Sequence, residues 1–171
     1  MMKKILALVL ALCMMIPVFA LAEDAIKIGQ VDYAAHGSKC FAVLTVAMQG
    51  DKIADAHIDE FQFMDKATAV GVPNSDKGFG ENFPEGKVLA SKRMNNELYS
   101  GNMATKANAT KQLVEGYTAI EAFVTGKTIA ELEAEIEGKD AAAMVDAVSG
   151  STLVDTLGYI QGLIEAAKAA M

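Results

Sequence analysis

The sequence contains few of the residues that build disulfides and metal sites. Among its 171 residues there are two cysteines, two histidines and no tryptophan. Cys13 lies in an apolar N-terminal segment, so Cys40 is the thiol of the remaining chain, and one thiol cannot form an internal disulfide. A structural zinc site takes four Cys or His ligands. Because His36, His57 and Cys40 do not supply four, we expect no metal.

Basic residues are also scarce. Fifteen Lys and Arg residues stand against 22 Asp and Glu residues, which gives a formal net charge of −7. No basic cluster interleaved with aromatic residues occurs, and an acidic chain is repelled by nucleic acid. We therefore expect no nucleic-acid partner.

Residues 1–22 have the composition of a secretory signal peptide. Two lysines precede an apolar run from Ile5 to Ala22, and Ala20-Leu21-Ala22 forms a small-x-small pattern before Glu23. We expect cleavage near Ala22, followed by a single domain over residues 23–171 outside the cytoplasm. Because residues 1–22 contain Lys3, Lys4 and no acidic residue, cleavage changes the net charge from −7 to −9.

Two other roles of this segment stay open. An uncleaved membrane anchor would sit at the short edge of the ~20 residues that span a bilayer. A lipoprotein would use Cys13 as the lipidated residue, but bulky Leu12 precedes it where a small residue is expected. The prediction is a secreted or cell-envelope-associated protein.

The domain is predicted to be α+β, with a small antiparallel sheet packed against C-terminal helices. Residues 41–63 form two extended segments around Gly50-Asp51, a sequence that favours a tight hairpin turn. Ile26–Tyr33 is a further strand, and Val88–Ala90 is a short additional one. Residues 65–86 are predicted to be a long loop, because glycine, proline and asparagine recur there.

The C-terminal half shows helical periodicity. Leu113, Tyr117, Ile120 and Val124 fall on one face of a helix. A capping box of Thr128 and Glu131 starts the next helix, and Asp140 is predicted to cap a short one. The tract around residues 95–102, rich in Asn, Ser and Gly, is predicted to be loop.

Three hydroxyl residues surround one glycine in the stretch Ser149-Gly150-Ser151-Thr152. One interpretation is a helix cap, with Thr152 at the N-cap and Asp155 three positions later. The other is an anion site, because the free amides and the dipole of a helix N-terminus favour a phosphate. A helix that starts near Thr152 is common to both.

The segment Asp146-Ala147-Val148-Ser149-Gly150-Ser151-Thr152 resembles the flavinylation motif of FMN-binding domains. That pattern is Asp, two variable residues, Ser or Thr, Gly, usually Ala, then Ser or Thr. Asp146, Ser149 and Gly150 match it, and Ser151 stands where Ala is usual. The hairpin sequence Gly50-Asp51-Lys52-Ile53 also resembles a feature of these domains.

The resemblance implies that a flavin transferase joins FMN to Thr152 through the flavin phosphate. The cofactor-binding residues would be Asp146, Ser149, Gly150, Ser151 and Thr152. It further implies an exported carrier of electrons between redox proteins of the cell envelope, rather than an enzyme that turns over a small substrate.

The long loop, with Gly71–Ser75 in particular, is expected to form part of the wall around the flavin ring, and Tyr99 and Phe79 are candidates for stacking. The alternative function is an exported binding protein of the same fold without flavin. Asp59 and Glu60 alternate along a strand and are predicted to lie at a solvated edge.

Overall fold

The computed structural model describes residues 25–171, and the predicted signal peptide lies outside them. An antiparallel sheet of four strands, in the order β1-β2-β3-β4, is packed against helices. Its strands are β1 (Lys27–Tyr33), β2 (Cys40–Gln49), β3 (Lys52–Asp65) and β4 (Lys87–Ser91). The predicted α+β class with an antiparallel sheet is thereby confirmed.

Five α-helices follow the sheet in the chain. They are α1 (Asn96–Ala107), α2 (Leu113–Val124), α3 (Ile129–Ile136), α4 (Ala141–Ala147) and α5 (Thr156–Ala169). None of the helices in residues 25–171 has the length and apolar character needed to cross a membrane.

The local sequence signals produce the elements they predict. Gln49 pairs with Lys52 across a two-residue turn in which Gly50 has a φ of 61°. The Thr128 side chain accepts a hydrogen bond from the Glu131 amide, which completes the predicted capping box. Asp140 caps α4 by accepting from the amide of Ala143 at 2.9 Å. Each of these signals acts between residues a few positions apart, and it can therefore form without contacts from distant parts of the chain.

Two predictions about helices are wrong. Residues 96–107 form α1 rather than a loop. The poor helix propensity of Asn, Ser and Gly is outweighed by packing of Tyr99 and Met103 against the core. The last helix begins at Thr156 with Asp155 as N-cap, so its N-cap lies three residues after the predicted N-cap, Thr152.

The core lies between the inner face of the sheet and α5, with α2, α3 and α4 around it. The backbones of β1 and α5 approach closely at Gly29. A Cβ atom placed there would lie 1.9 Å from the carbonyl oxygen of Ala166, so only glycine fits. This contact fixes the C-terminal helix on the first strand and sets the position of the segment that precedes it.

Candidate functional site

A cavity of about 680 Å³ opens between the sheet, α1 and the segment before α5. Its volume is in the range of small-molecule and cofactor sites. Its walls come from the end of β3 at Gln62–Asp65, from one face of α1 and the turn after it, and from Thr152–Asp155. Lys92, just after β4, and Tyr159 of α5 complete the lining.

The cavity combines apolar and charged side chains. Phe63, Leu98, Tyr99 and Met103 provide apolar surface. The charged lining residues are Lys87, Lys92, Lys106, Asp65 and Asp155. Such a lining suits a ligand that has both an apolar ring system and a negative group.

Thr152 is the residue of the resembling motif that reaches this cavity. Its side chain is exposed and lies in the cavity wall beside Leu153 and Val154. Ser149 is exposed and Gly150 half-buried, but neither lines the cavity. Asp146 belongs to α4, and its side chain is outside the described part of the structure.

Gly150 gives the motif its turn. It has a φ of 97°, a conformation that L side chains rarely adopt, and its carbonyl oxygen accepts a hydrogen bond from Lys111 Nζ at 2.8 Å. A Cβ atom there would lie 3.3 Å from Cβ of Ala119. A glycine is thus required at the motif position where the resemblance expects one.

Ser151 is buried and faces away from the cavity lining. Only 5% of it is exposed, and its hydroxyl lies 3.0 Å from the hydroxyl of Thr156. The Thr156 hydroxyl in turn donates to the carbonyl of Leu153 at 2.6 Å. The extra hydroxyl therefore helps to set the start of α5, and Thr152 is the motif residue that is both exposed and part of the cavity lining.

Most of the long loop lies away from the cavity. Its first residues, Asp65 and Thr68, line the cavity, but Gly71–Ser75 does not; there the Val72 amide donates to the carbonyl of Leu89 in β4 at 2.7 Å. Tyr99 lines the cavity as a stacking residue would. Phe79 is 59% exposed and packs edge-on against Phe83 instead.

A buried polar cluster adjoins the cavity, and sequence reasoning missed it. Glu60 is fully buried, which contradicts the predicted solvated edge, and it forms an ion pair with the buried Lys92. The hydroxyls of Tyr159 and Tyr117 donate to Glu60 Oε2 at 2.9 and 3.3 Å. The available signal was the alternation of β3, because Glu60 is in phase with the inward-facing Ile58.

The cluster changes the acidity of its members. Burial, and then the negative charge of Glu60, raises the pKa of the Cys40 thiol to about 11. Burial and the same carboxylate also raise the pKa of Tyr117, so its phenol stays neutral. Burial opposes the charge on Lys92, but the adjacent Glu60 outweighs that effect and raises the pKa of the ammonium group. Lys92 is therefore a cation at neutral pH.

The histidines have separate surroundings. His36 pairs through Nδ1 with Asp155 at the rim of the cavity. His57 Nδ1 lies 3.9 Å from a carboxylate oxygen of Glu121 in α2, and neither residue lines the cavity. Residues 25–171 contain no group of three or more His, Cys, Asp or Glu side chains arranged to hold a metal ion.

Comparison of the chain with protein-family models, with curated proteins and with solved structures found no match.

Proposed function

We propose that this protein is an exported FMN carrier that transfers electrons between redox proteins of the cell envelope. The fold is proposed to be that of an FMN-binding domain, with the flavin linked by a phosphoester at Thr152. The observation that carries the proposal is that Thr152, which the motif makes the acceptor, is exposed in the wall of the described cavity.

The residues around the cavity fit an FMN group. The volume of about 680 Å³ has room for a cofactor of this size class, and Tyr99 and Phe63 supply aromatic surface for a planar ring. Lysines 87, 92 and 106 supply positive charge for a phosphate and for the negative charge that the ring gains on reduction. When bound, the flavin would supply the redox chemistry, carrying one or two electrons.

The chain itself would bind and orient the cofactor. Thr152 would offer its hydroxyl oxygen as the attachment atom, and the positive φ of Gly150 would turn the chain so that this oxygen is exposed. Ser151 and Thr156 would hold the segment in place through their hydroxyl contact. A covalent link would prevent loss of the cofactor outside the cell, where free FMN is dilute.

The direct test is the intact mass of the domain after co-expression with an active bacterial flavin transferase. The expected increase is one FMN less one water, because ester formation between Thr152 Oγ1 and the phosphate releases water overall. Thr152→Ala should abolish it and Thr152→Ser should retain it. Thr110→Ala is a matched control, since Thr110 is also an exposed threonine of the cavity lining. An unmodified wild type beside a modified control protein would refute covalent attachment.

One observation favours the second candidate, an exported binding protein without flavin. Because α5 begins at Thr156, Thr152 precedes the first helical turn, and the strongest N-terminal dipole effect falls within that turn. A colourless protein that also gains no visible absorbance when incubated with free FMN would support this candidate. Visible absorbance without a mass change would indicate non-covalent FMN.

A further inference from the structure

The buried ion pair between Glu60 and Lys92 is not explained by a gain in the stability of the fold. Both side chains are almost completely buried, at 0% and 2% exposure. A buried ion pair contributes little net stability, because desolvation of two charges offsets their attraction. Buried charges of this kind concentrate at functional sites. The cluster also adjoins the cavity that contains Thr152.

The two members of the ion pair differ in their position relative to the cavity. Lys92 is part of the cavity lining and Glu60 is not. Behind the lysine, the Glu60 carboxylate accepts from Tyr159 and Tyr117, and the Cys40 thiol donates to its Oε1 at 3.4 Å. The donors hold the negative end inside the protein, and the lysine is the member of the pair that lines the cavity.

The position of the ammonium group is fixed on a second side as well. Lys92 Nζ lies 4.7 Å from the centre of the Tyr99 ring, and that ring also lines the cavity. Because the cation lies over one face of the Tyr99 ring and both residues line the cavity, a planar ligand that reaches the edge of Tyr99 would lie near this cation. In a site shielded from water, a fixed cation at that distance acts more strongly than it would in solution.

We propose that Lys92 is a binding residue for the electron-rich edge of the flavin ring and favours its reduced form; this inference rests on the proposed function. Reduction adds two electrons from a redox partner protein and one proton from water, so the ring gains one negative charge and no group leaves. Lys92 keeps its proton throughout. Its charge stabilises the added negative charge and raises the reduction potential.

The test is a potentiometric titration of the FMN-loaded protein with dithionite and mediator dyes. The variant is Lys92→Met with Glu60→Gln, which removes both charges and keeps an acceptor for the two tyrosines. We expect the preference for the reduced over the oxidised flavin to fall at least tenfold. For a two-electron couple this lowers the potential by about 30 mV.

A matched lysine provides the control. Lys127 also pairs with a carboxylate, Glu135, and its Nζ lies 3.4 Å from the centre of the Phe123 ring, but it does not line the cavity. Lys127→Met with Glu135→Gln, which removes both charges of this pair as the test variant does, should leave the potential unchanged. If the double variant fails to fold, Lys92→Gln with Glu60→Gln removes the same two charges while the two amides can hydrogen-bond to each other, and it should lower the potential in the same way.

The outcomes separate the two proposals. Equal potentials in the wild type and the Lys92 variant, with FMN present in both, would overturn the role of Lys92 and leave the proposed function standing. A wild type that takes up no FMN would overturn both. A tenfold change seen equally in Lys127→Met with Glu135→Gln would assign the effect to the loss of any lysine–carboxylate pair and overturn the specific role of Lys92.

Discussion

Removal of the Lys92 charge should destabilise the protein far more than removal of a comparable surface charge. Lys92→Met leaves the Glu60 carboxylate buried without its ion-pair partner, a change that costs about 3–5 kcal/mol in other proteins. The tyrosine donors to Glu60 remain, so we expect a loss near 3 kcal/mol in the free energy of unfolding. For a domain with a total stability of about 5–15 kcal/mol, this is a large fraction.

Two companion variants make this prediction specific. Adding Glu60→Gln to Lys92→Met should recover most of the loss, because the amide oxygen still accepts from the tyrosines and no charge is left buried. Lys127→Met should cost about 1 kcal/mol or less, since its pair with Glu135 is partly exposed, at 26% and 39%.

The assay is urea unfolding, with the midpoint and slope compared across the wild type and the three variants. An unchanged slope would show that the midpoint reports stability alone. The reasoning would be refuted if Lys92→Met cost no more than Lys127→Met. It would also be refuted if the double variant were less stable than Lys92→Met.

Three other predictions concern the same regions. Tyr159→Phe should lower the free energy of unfolding, measured with urea, by about 1.5–3 kcal/mol, the range for a hydrogen bond to a charged group. Tyr117→Phe should cost less, because its hydrogen bond to Glu60 is 3.3 Å rather than 2.9 Å long. The reverse order of the two losses would contradict the assigned contacts. Gly150→Ala should cost about 1–3 kcal/mol because of its φ of 97°, whereas Gly101→Ala in α1, with open space around it, should stabilise by up to about 1 kcal/mol in the same assay. The rise of the Cys40 pKa from 9.0 to about 11 lowers the thiolate fraction about 100-fold at pH 8. A more basic thiolate is also a better nucleophile, which offsets part of this loss. The reaction of Cys40 with an aromatic disulfide reagent should therefore be roughly tenfold slower than that of free cysteine. A Cys40 rate equal to that of free cysteine would contradict the buried, anionic surroundings.

The same Cys40 shift has a consequence for stability that follows from its sign. A thiol whose pKa is higher in the folded than in the unfolded state contributes stability that is fully present below the unfolded value and is lost as pH rises towards the folded one. The free energy of unfolding should therefore decrease between about pH 9 and pH 11 through this group. Cys40→Ala should show a smaller decrease over that window in urea unfolding.

The parts of the fold that the sequence predicts are those encoded by short-range chemistry. The Gly50 turn, the Thr128 capping box and the Asp140 cap each depend on residues within three positions of one another. Helix α1 was missed because its propensity is poor and its stability comes from contacts with distant residues, such as the Leu113 amide donating to Ser100 at 2.9 Å.

The site was only partly accessible to the same reasoning. Thr152 could be singled out by motif resemblance, and the structure places it in the cavity wall. The sequence pattern predicts a start of α5 that is too early. The observed start is set by the contact between the Ser151 and Thr156 side chains, and this contact depends on the turn at Gly150. Glu60 was misjudged because a carboxylate is rarely buried, and its partners lie on other elements.

The contact between β1 and α5 also determines the order in which the chain can fold. Lys27 donates to the carbonyl of Met171, 144 residues further on, and Gly29 lies directly against the backbone of α5. Contacts between such distant parts of a chain slow folding, because the loop they close must be ordered first. The inner face of the first strand therefore stays uncovered until the last helix has been synthesised.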